Sequence, residues 1–187
     1  MIYGDTIINS MIRRGLIKNV YDGSVNPASI NIRLGNTFLV PKKDQVIELG
    51  QEIEYEPYDI SEEDGINIGP GEFMLATTKE WFELPITTAA FVQGRSSIGR
   101  ACLTIQNAGF VDPGFYGHIT LELKNEGPCP IFLREGYPVG QMIFMEAGDV
   151  SRPYQGKYNG QVVATGSRMV HDEHKPENQK EINNDND

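Results

Sequence analysis

The segment Ile119-Thr120-Leu121-Glu122-Leu123-Lys124 alternates apolar and polar residues. A period of two is that of a β-strand with one buried face, so the pattern predicts a strand over residues 117–124. The three aliphatic residues share one face, and Glu122 therefore lies on the other. Its carboxylate either points to solvent or faces a pocket, where desolvation would raise its pKa.

Outward from this segment, the chain contains further short apolar runs separated by Gly, Pro or Asn. They predict strands over residues 29–34, 73–76, 88–93, 102–106, 130–134 and 138–146. Many short strands at such spacing favour an antiparallel sandwich or barrel with few helices.

Four local expectations accompany this mainly β interpretation. Asp5 is expected to cap a short helix that closes at Gly15. The strand over 29–34 is expected to end in a Gly35-Asn36 turn. Residues 41–64 are polar and acidic, with weak strand character around 46–54, and are interpreted as an exposed hairpin or excursion. Residues 78–84 are interpreted as a helical turn stopped by a proline.

Length, net charge and cysteine content limit the classes of function that the chain can have. The 187 residues suit one domain, placed over 1–170, followed by a disordered acidic tail over 171–187. A formal net charge of -10 argues against a nucleic-acid or anionic-membrane surface. The chain has neither the apolar run of a transmembrane helix nor the pattern of a signal peptide. Cys102 and Cys129 are expected to be reduced thiols, which favours the cytoplasm.

Residues 94–100 place two arginines and two serines in one turn, with Ser96 as its expected cap. Arginine forks and free backbone N–H groups suit a phosphate, although an ordinary surface turn has the same pattern. Asp112 should begin a tight turn through Pro113-Gly114. Residues 157–161 could form a lid over a phosphate chain or a solvated loop.

Other chemistries lack their motifs. The sequence contains no HxE…PCxxC zinc deaminase pattern, no GxSxG elbow and no GxxxxGK[ST] phosphate loop.

Taken in order, these segments resemble the dCTP deaminase branch of the dUTPase/dCTP deaminase superfamily. The matching segments are residues 26–36, 70–76, 94–100, 108–115, 118–123, 139–144 and 157–161. The resemblance covers about residues 1–170 and implies a distorted β-barrel or jelly-roll-like fold, assembled as a homotrimer with active sites between subunits. It also implies deamination of dCTP without zinc, with Mg²⁺ carried by the triphosphate and dTTP as a feedback inhibitor.

The resemblance also implies residue roles. Glu122 would be the general base and proton shuttle, helped by Ser96, Arg100 and the backbone carbonyl of Ala108, which would position the water and the base. Asp112 would bind the deoxyribose, with Phe115 beneath the sugar, and the backbone of Thr120 and Leu121 would read the base. Ile98 and Gly99 complete the 94–100 nucleotide-binding turn, and the triphosphate would be held by Arg95, Ser97, Gln141, Tyr154, Lys157 and Gln161.

Two features concern the product and the reaction. The segments around Asp112 and Gln141 are most similar to the bifunctional, dUMP-forming members, in which an Asp at the position of Asp112 activates water for cleavage at the α-phosphate. However, only eleven residues separate Arg100 from Asp112, a spacing similar to that of dUTPases, and Asn107 stands where a threonine implicated in closure and dTTP feedback is expected.

Two alternatives therefore accompany a dUMP-forming dCTP deaminase. One is a dUTP diphosphatase without deamination, although plain dUTPases usually lack an acid at the position of Glu122. The other is a non-catalytic, nucleotide-binding regulatory trimer.

Overall fold

Antiparallel strands are the main secondary structure of the molecule. The computed structural model describes residues 1–61, 63–106 and 109–172. Its elements are α1 (Asp5–Arg13), β1 (Ile17–Lys18), β2 (Val25–Asn26), β3 (Ser29–Pro41), β4 (Tyr55–Asp59), β5 (Gly65–Ile68), β6 (Phe73–Thr78), β7 (Trp81–Glu83), β8 (Thr88–Gly94), α2 (Ser96–Gly99), β9 (Leu103–Gln106), β10 (Phe110–Val111), β11 (Tyr116–Gly117), β12 (Thr120–Asn125), β13 (Ile131–Arg134), β14 (Pro138–Glu146) and a 3-10 helix, Met169–His171.

The largest sheet has nine strands in the order β10-β8-β14-β3-β6-β12-β9, with β2 and β4 also paired to β3. It curls into a half-barrel, as the predicted mainly β, distorted-barrel fold requires. A three-stranded sheet, β1-β7-β11, and a two-stranded sheet, β13-β5, complete the structure. One hydrophobic cluster joins the sheets, and its largest fully buried side chains include Phe38, Phe82 and Phe144.

β3 differs from its predicted form. It continues through Gly35 to Pro41, so the expected Gly35-Asn36 turn is wrong. A Cβ added at Gly35 would lie 2.4 Å from Cγ2 of Thr77. The glycine therefore permits close approach of β6, at a register shift between Leu34 and Phe38.

Two further expectations need correction. The segment 78–84 is not a helical turn, because β7 pairs there with both β1 and β11. The helix α1 does form, but its N-cap is Gly4, and Asp5 is the first helical residue without a side-chain cap bond. Gly15 lies just beyond the helix with φ of +72°, the left-handed conformation expected of a closing glycine.

The described part of the chain contains no helix long and apolar enough to cross a bilayer. Cys102 and Cys129 are both free and exposed. Asn107 and Ala108 lie outside the described residues, as do residues 173–187, which hold most of the predicted tail.

Candidate active site

β12 presents Glu122 to a cavity. The strand lies between β6 and β9, where Glu122 is opposite Leu75 on one side and Gln106 on the other. Leu121 and Leu123 are fully buried, whereas Glu122 is only partly exposed. The predicted division of this strand into an apolar and a polar face is therefore confirmed, and the polar face is not simply solvated.

The cavity has a volume of about 480 Å³. Its lining brings together many of the predicted site residues, which come from β12, from the turn before β11 and from the C-terminal segment. These residues are Asp112, Phe115, Thr120, Leu121, Glu122, Tyr154 and Gln161.

Burial raises the pKa of Glu122, because desolvation disfavours its charged form. No hydrogen bond or ion pair within the described residues opposes this shift. A carboxyl group that keeps its proton to higher pH than an exposed glutamate can both accept and donate a proton. Glu122 therefore has the environment of a general acid–base group.

Asp112 begins the predicted tight turn. The N–H of Phe115 donates to the carbonyl of Asp112 at 3.1 Å, and Gly114 has φ of +89°. Phe115 is 6% exposed, and its ring lies 6.3 Å, centroid to centroid, from that of Tyr154. The turn thus places an exposed carboxylate beside an aromatic wall of the cavity.

The segment over residues 154–161, which follows β14, packs against the Asp112 turn and β11. The N–H of Tyr154 donates to the carbonyl of Pro113 at 2.7 Å. Gln161 is nearly buried against β11 and β12. Lys157 is outside the cavity lining, and its ammonium group donates to Asp172 at 3.1 Å. The predicted lid residues are therefore only partly assembled around this cavity.

Some cavity residues were not predicted. Tyr55, at the start of β4, accepts a hydrogen bond from the N–H of Ser167 at 3.2 Å. A Cβ added at Gly166 would lie 2.7 Å from the Tyr55 ring, so the segment around Gly166 lies directly on that ring. Thr165 also contributes to the wall. No motif marked these residues, because Tyr55 lies in the polar excursion and the others follow the last strand.

The predicted phosphate-binding turn does not contribute to the described lining of this cavity. Residues of α2 are absent from the described cavity lining, and Ser96 is exposed. The N-cap of α2 is Arg95, so the expectation that Ser96 caps the turn is wrong. Arg95 donates to the carbonyl of Pro138 at 3.1 Å.

Other members of the predicted phosphate set are also outside the described cavity lining. Arg100 and Ser97 are exposed. Gln141 lies opposite Gln93 of β8, two residues before Arg95. Its side-chain oxygen accepts a hydrogen bond from the Ser29 hydroxyl at 3.1 Å. The predicted base- and sugar-binding residues therefore line the described cavity, whereas the predicted phosphate-binding turn contributes no residue to that lining. Ala108, expected to position the water, is outside the described residues.

Comparisons with known proteins give one consistent result. A family model described as dCTP deaminase-like matches residues 2–147. A Sulfurihydrogenibium protein named "dCTP deaminase, dUMP-forming" is 42% identical over 183 residues, covering 92% of this chain and 99% of that protein. An Aquifex aeolicus protein of the same name is 40% identical over 182 residues, covering 92% and 97%.

Among solved structures, the 2'-deoxycytidine 5'-triphosphate deaminase of Agrobacterium tumefaciens matches with a TM-score of 0.65 at 22% identity. That match covers 79% of this chain and 48% of the other, and it supports the fold.

Proposed function

This chain belongs to the dCTP deaminase-like family, and we propose that it hydrolytically deaminates dCTP and then releases diphosphate to give dUMP. The observation that carries the proposal is the partly buried Glu122, whose pKa is raised and which faces the cavity. The names of the similar proteins support the dUMP-forming reaction. Such a reaction would supply dUMP for thymidylate synthesis.

In the proposed deamination, Glu122 takes a proton from water as the water oxygen bonds to C4 of cytosine. Glu122 passes this proton to N3, and C4 becomes the centre of a tetrahedral intermediate. Glu122 then moves the second proton, from the new hydroxyl group to the amino nitrogen. The C4–N4 bond breaks, ammonia leaves, and C4 becomes a carbonyl. One group performs both transfers, which requires a carboxyl with a raised pKa.

In the proposed second step, water attacks the α-phosphorus and diphosphate leaves. Asp112 would activate this water, and its position in the same cavity as Glu122 supports that role. The backbone of β12 at Thr120 and Leu121 would read the base, and Phe115 would border the sugar. Mg²⁺ would enter with the triphosphate as part of the substrate.

We further propose a homotrimer in which one subunit contributes the cavity and another contributes the phosphate-binding turn. Its support is that the 94–100 turn contributes no residue to the described lining of the cavity. Arg95, Ser96 and Arg100 would reach the nucleotide from the adjacent subunit. The positive charges of Arg95 and Arg100 would offset the negative charge of the triphosphate, even though the net charge of the chain is negative. Inhibition by dTTP would follow from binding at the same site.

The test is chromatography of products formed from dCTP and from dUTP in parallel, with Mg²⁺ present. The proposal expects ammonia and dUMP from dCTP. Glu122→Gln should lower ammonia release by about 10²–10⁴-fold, the usual contribution of a general acid–base group. Glu63→Gln, an exposed control, should be unchanged. Undiminished ammonia release by Glu122→Gln would refute the mechanism.

The same experiment decides between the alternatives. Conversion of dUTP to dUMP with inert dCTP would identify a dUTP diphosphatase, which the short Arg100-to-Asp112 spacing favours. Binding without turnover of either nucleotide would identify a regulatory protein. Asp112→Asn should stop dUMP formation while ammonia is still released.

A further inference from the structure

We propose that Ile47 and Ile53 shield the Glu122 carboxyl group from water and so determine the pH range over which the chain deaminates dCTP. The inference rests on the proposed function, because it concerns Glu122 as the acid–base group of that reaction. Both isoleucines belong to the loop over residues 42–54, which joins β3 to β4, and both line the same cavity as Glu122. Neither takes part in the proposed reaction itself, so their role is to position and enclose another group.

The 42–54 loop is closed at its base by the side chain of Gln45. Its Nε2 donates to the carbonyls of Lys42 at 3.0 Å and Glu54 at 2.7 Å, and its Oε1 accepts the N–H of Glu54 at 3.0 Å. The N–H of Lys42 also donates to the Glu54 carbonyl at 3.0 Å. These bonds join the two arms of the loop, so residues 46–53 extend from a defined base beside the cavity.

The loop divides its large apolar side chains between the cavity and the solvent. Ile47 lines the cavity and is 51% exposed, and Ile53 lines it and is partly exposed. Val46 and Leu49 are outside the described lining and are 94% and 82% exposed. The two isoleucines therefore lie where the cavity meets the solvent, and Val46 and Leu49 of the same loop provide a matched control.

β6 supplies a second apolar wall beside Glu122. Leu75, the partner of Glu122 across the two strands, is 7% exposed, and Phe73 also lines the cavity. With these side chains on β6 and Ile47 and Ile53 on the loop, the carboxyl group has apolar carbon on two sides. Water that is kept away cannot stabilise the carboxylate, which agrees with the effect of burial in raising the pKa of Glu122.

Other titratable groups share this cavity with Glu122. They come from the Asp112 turn, from β4 and from the segment over residues 154–161, and they are Asp112, Tyr55, Tyr154 and Tyr158. On β12, Lys124 points to the same side as Glu122, and its ammonium group lies 3.0 Å from a carboxylate oxygen of Glu126. The variants below change none of these groups, so a difference between variants reports on the isoleucines.

The kinetic test removes aliphatic carbon from the cavity without adding a polar group. In Ile47→Ala with Ile53→Ala, the acidic limb of kcat/KM for dCTP should move to lower pH by about 0.5 units or more, because entering water stabilises the charged Glu122. Val46→Ala with Leu49→Ala should not move it. The conservative pair Ile47→Leu with Ile53→Leu should also keep the original profile.

Several outcomes would overturn the inference. They are a smaller shift or a shift to higher pH in Ile47→Ala with Ile53→Ala, and an equal shift in Val46→Ala with Leu49→Ala. Lower activity at every pH with an unmoved limb would show that the isoleucines are only structural. If the double variant does not fold, Ile47→Ala alone makes the same test, because that side chain is about half exposed.

A nucleotide-free titration separates this inference from the proposed function. With isotope-labelled glutamate, the Glu122 carboxyl resonance is assigned by its loss in Glu122→Gln. It should titrate at lower pH in Ile47→Ala with Ile53→Ala than in the unsubstituted chain, and at the same pH in Val46→Ala with Leu49→Ala. Equal titration in all three chains would overturn the shielding role. If the unsubstituted chain releases no ammonia from dCTP, the proposed function fails, and the titration alone decides the role of the isoleucines.

Discussion

Replacing Arg33 by methionine removes the ion-pair partner of the buried carboxylate of Glu80. Arg33 Nε donates to Glu80 Oε1 at 2.7 Å, and the Arg33 backbone N–H donates to Oε2 at 2.8 Å. The two side chains are 17% and 1% exposed. The Glu80 carbonyl also accepts from Thr78 Oγ1 at 2.9 Å and lies 2.9 Å from His118 Nδ1. The Arg33–Glu80 pair therefore helps to hold the Glu80 backbone, which contacts His118, two residues before β12 begins.

The magnitude follows from the geometry. Two unit charges 2.7 Å apart attract by about 6 kcal/mol at an effective dielectric constant of ~20. Desolvation offsets part of this attraction, and removing one member of a buried pair usually costs about 3–5 kcal/mol. We expect Arg33→Met to lower the free energy of unfolding at pH 7 by about that amount. Adding Glu80→Gln should restore most of the loss, because the remaining group is neutral.

The loss should depend on pH. Burial raises the pKa of Glu80 from its ordinary value of 4.5, and its bonds to Arg33 oppose that rise. Without the Arg33 guanidinium, the pKa of Glu80 in the folded chain lies still further above its value in the unfolded chain. The deficit of Arg33→Met is therefore largest at neutral pH and shrinks as pH falls towards 4.5, where the carboxyl group becomes neutral.

The assay is urea unfolding at one protein concentration, followed by the fluorescence of Trp81, the single tryptophan. The Trp81 ring lies 5.2 Å from that of His118 and so reports on this region. Lys42→Met, which removes an exposed ion pair with Glu54, is the matched control and should leave the midpoint unchanged. A loss below about 1 kcal/mol in Arg33→Met, typical of an exposed pair, would refute the reasoning.

Three other predictions test separate parts of the structure. Burial raises the pKa of Glu122, so the stability that its neutral form gives the fold is fully present below pH 4.5 and is lost as pH rises. In thermal scans, Glu122→Gln should therefore be more stable than the unsubstituted chain at pH 8 and equal to it at pH 4. An equal gain at both pH values would contradict this. Gly114→Ala should lower the free energy of unfolding by about 1–3 kcal/mol, because φ is +89° and the new Cβ would lie 2.5 Å from a proline side-chain carbon; Gly148→Ala, with nothing within 4 Å, should cause little change in urea unfolding. Cys102 and Cys129 are free and exposed, so both thiols of the native chain should react with a thiol reagent, and one reactive thiol per chain would be inconsistent with the structure.

Patterns within a few residues predicted much of the fold. The alternation around Glu122 gave the correct faces, because each neighbouring residue of a strand points to the opposite side. The predicted bounds of 117–124 were too wide at the start, since β12 begins at Thr120 and Gly117 belongs to β11. The strand predicted over 138–146 has the same bounds as β14. The turn at Asp112 was likewise correct, since it depends only on Asp, Pro and Gly in sequence.

The errors arose where partners distant in sequence decided the conformation. Residues 78–84 were predicted to be a helical turn, but β7 is a strand because β1 and β11 supply its hydrogen bonds. The local pattern at Gly35 indicates a turn, but β6 approaches this glycine so closely that a side chain would clash. Neither partner is visible in the local pattern.

By itself, the sequence determined that the chain is mainly β, that Glu122 lies opposite the apolar face of its strand, and that Asp112 begins a rigid turn. Only the tertiary structure decided that these two carboxylates share a cavity and that the 94–100 turn lies outside its described lining. It also decided that Tyr55 meets Ser167 across 112 residues. Side-chain alternation and turn geometry depend on neighbouring residues, whereas cavities form from segments that only folding brings together.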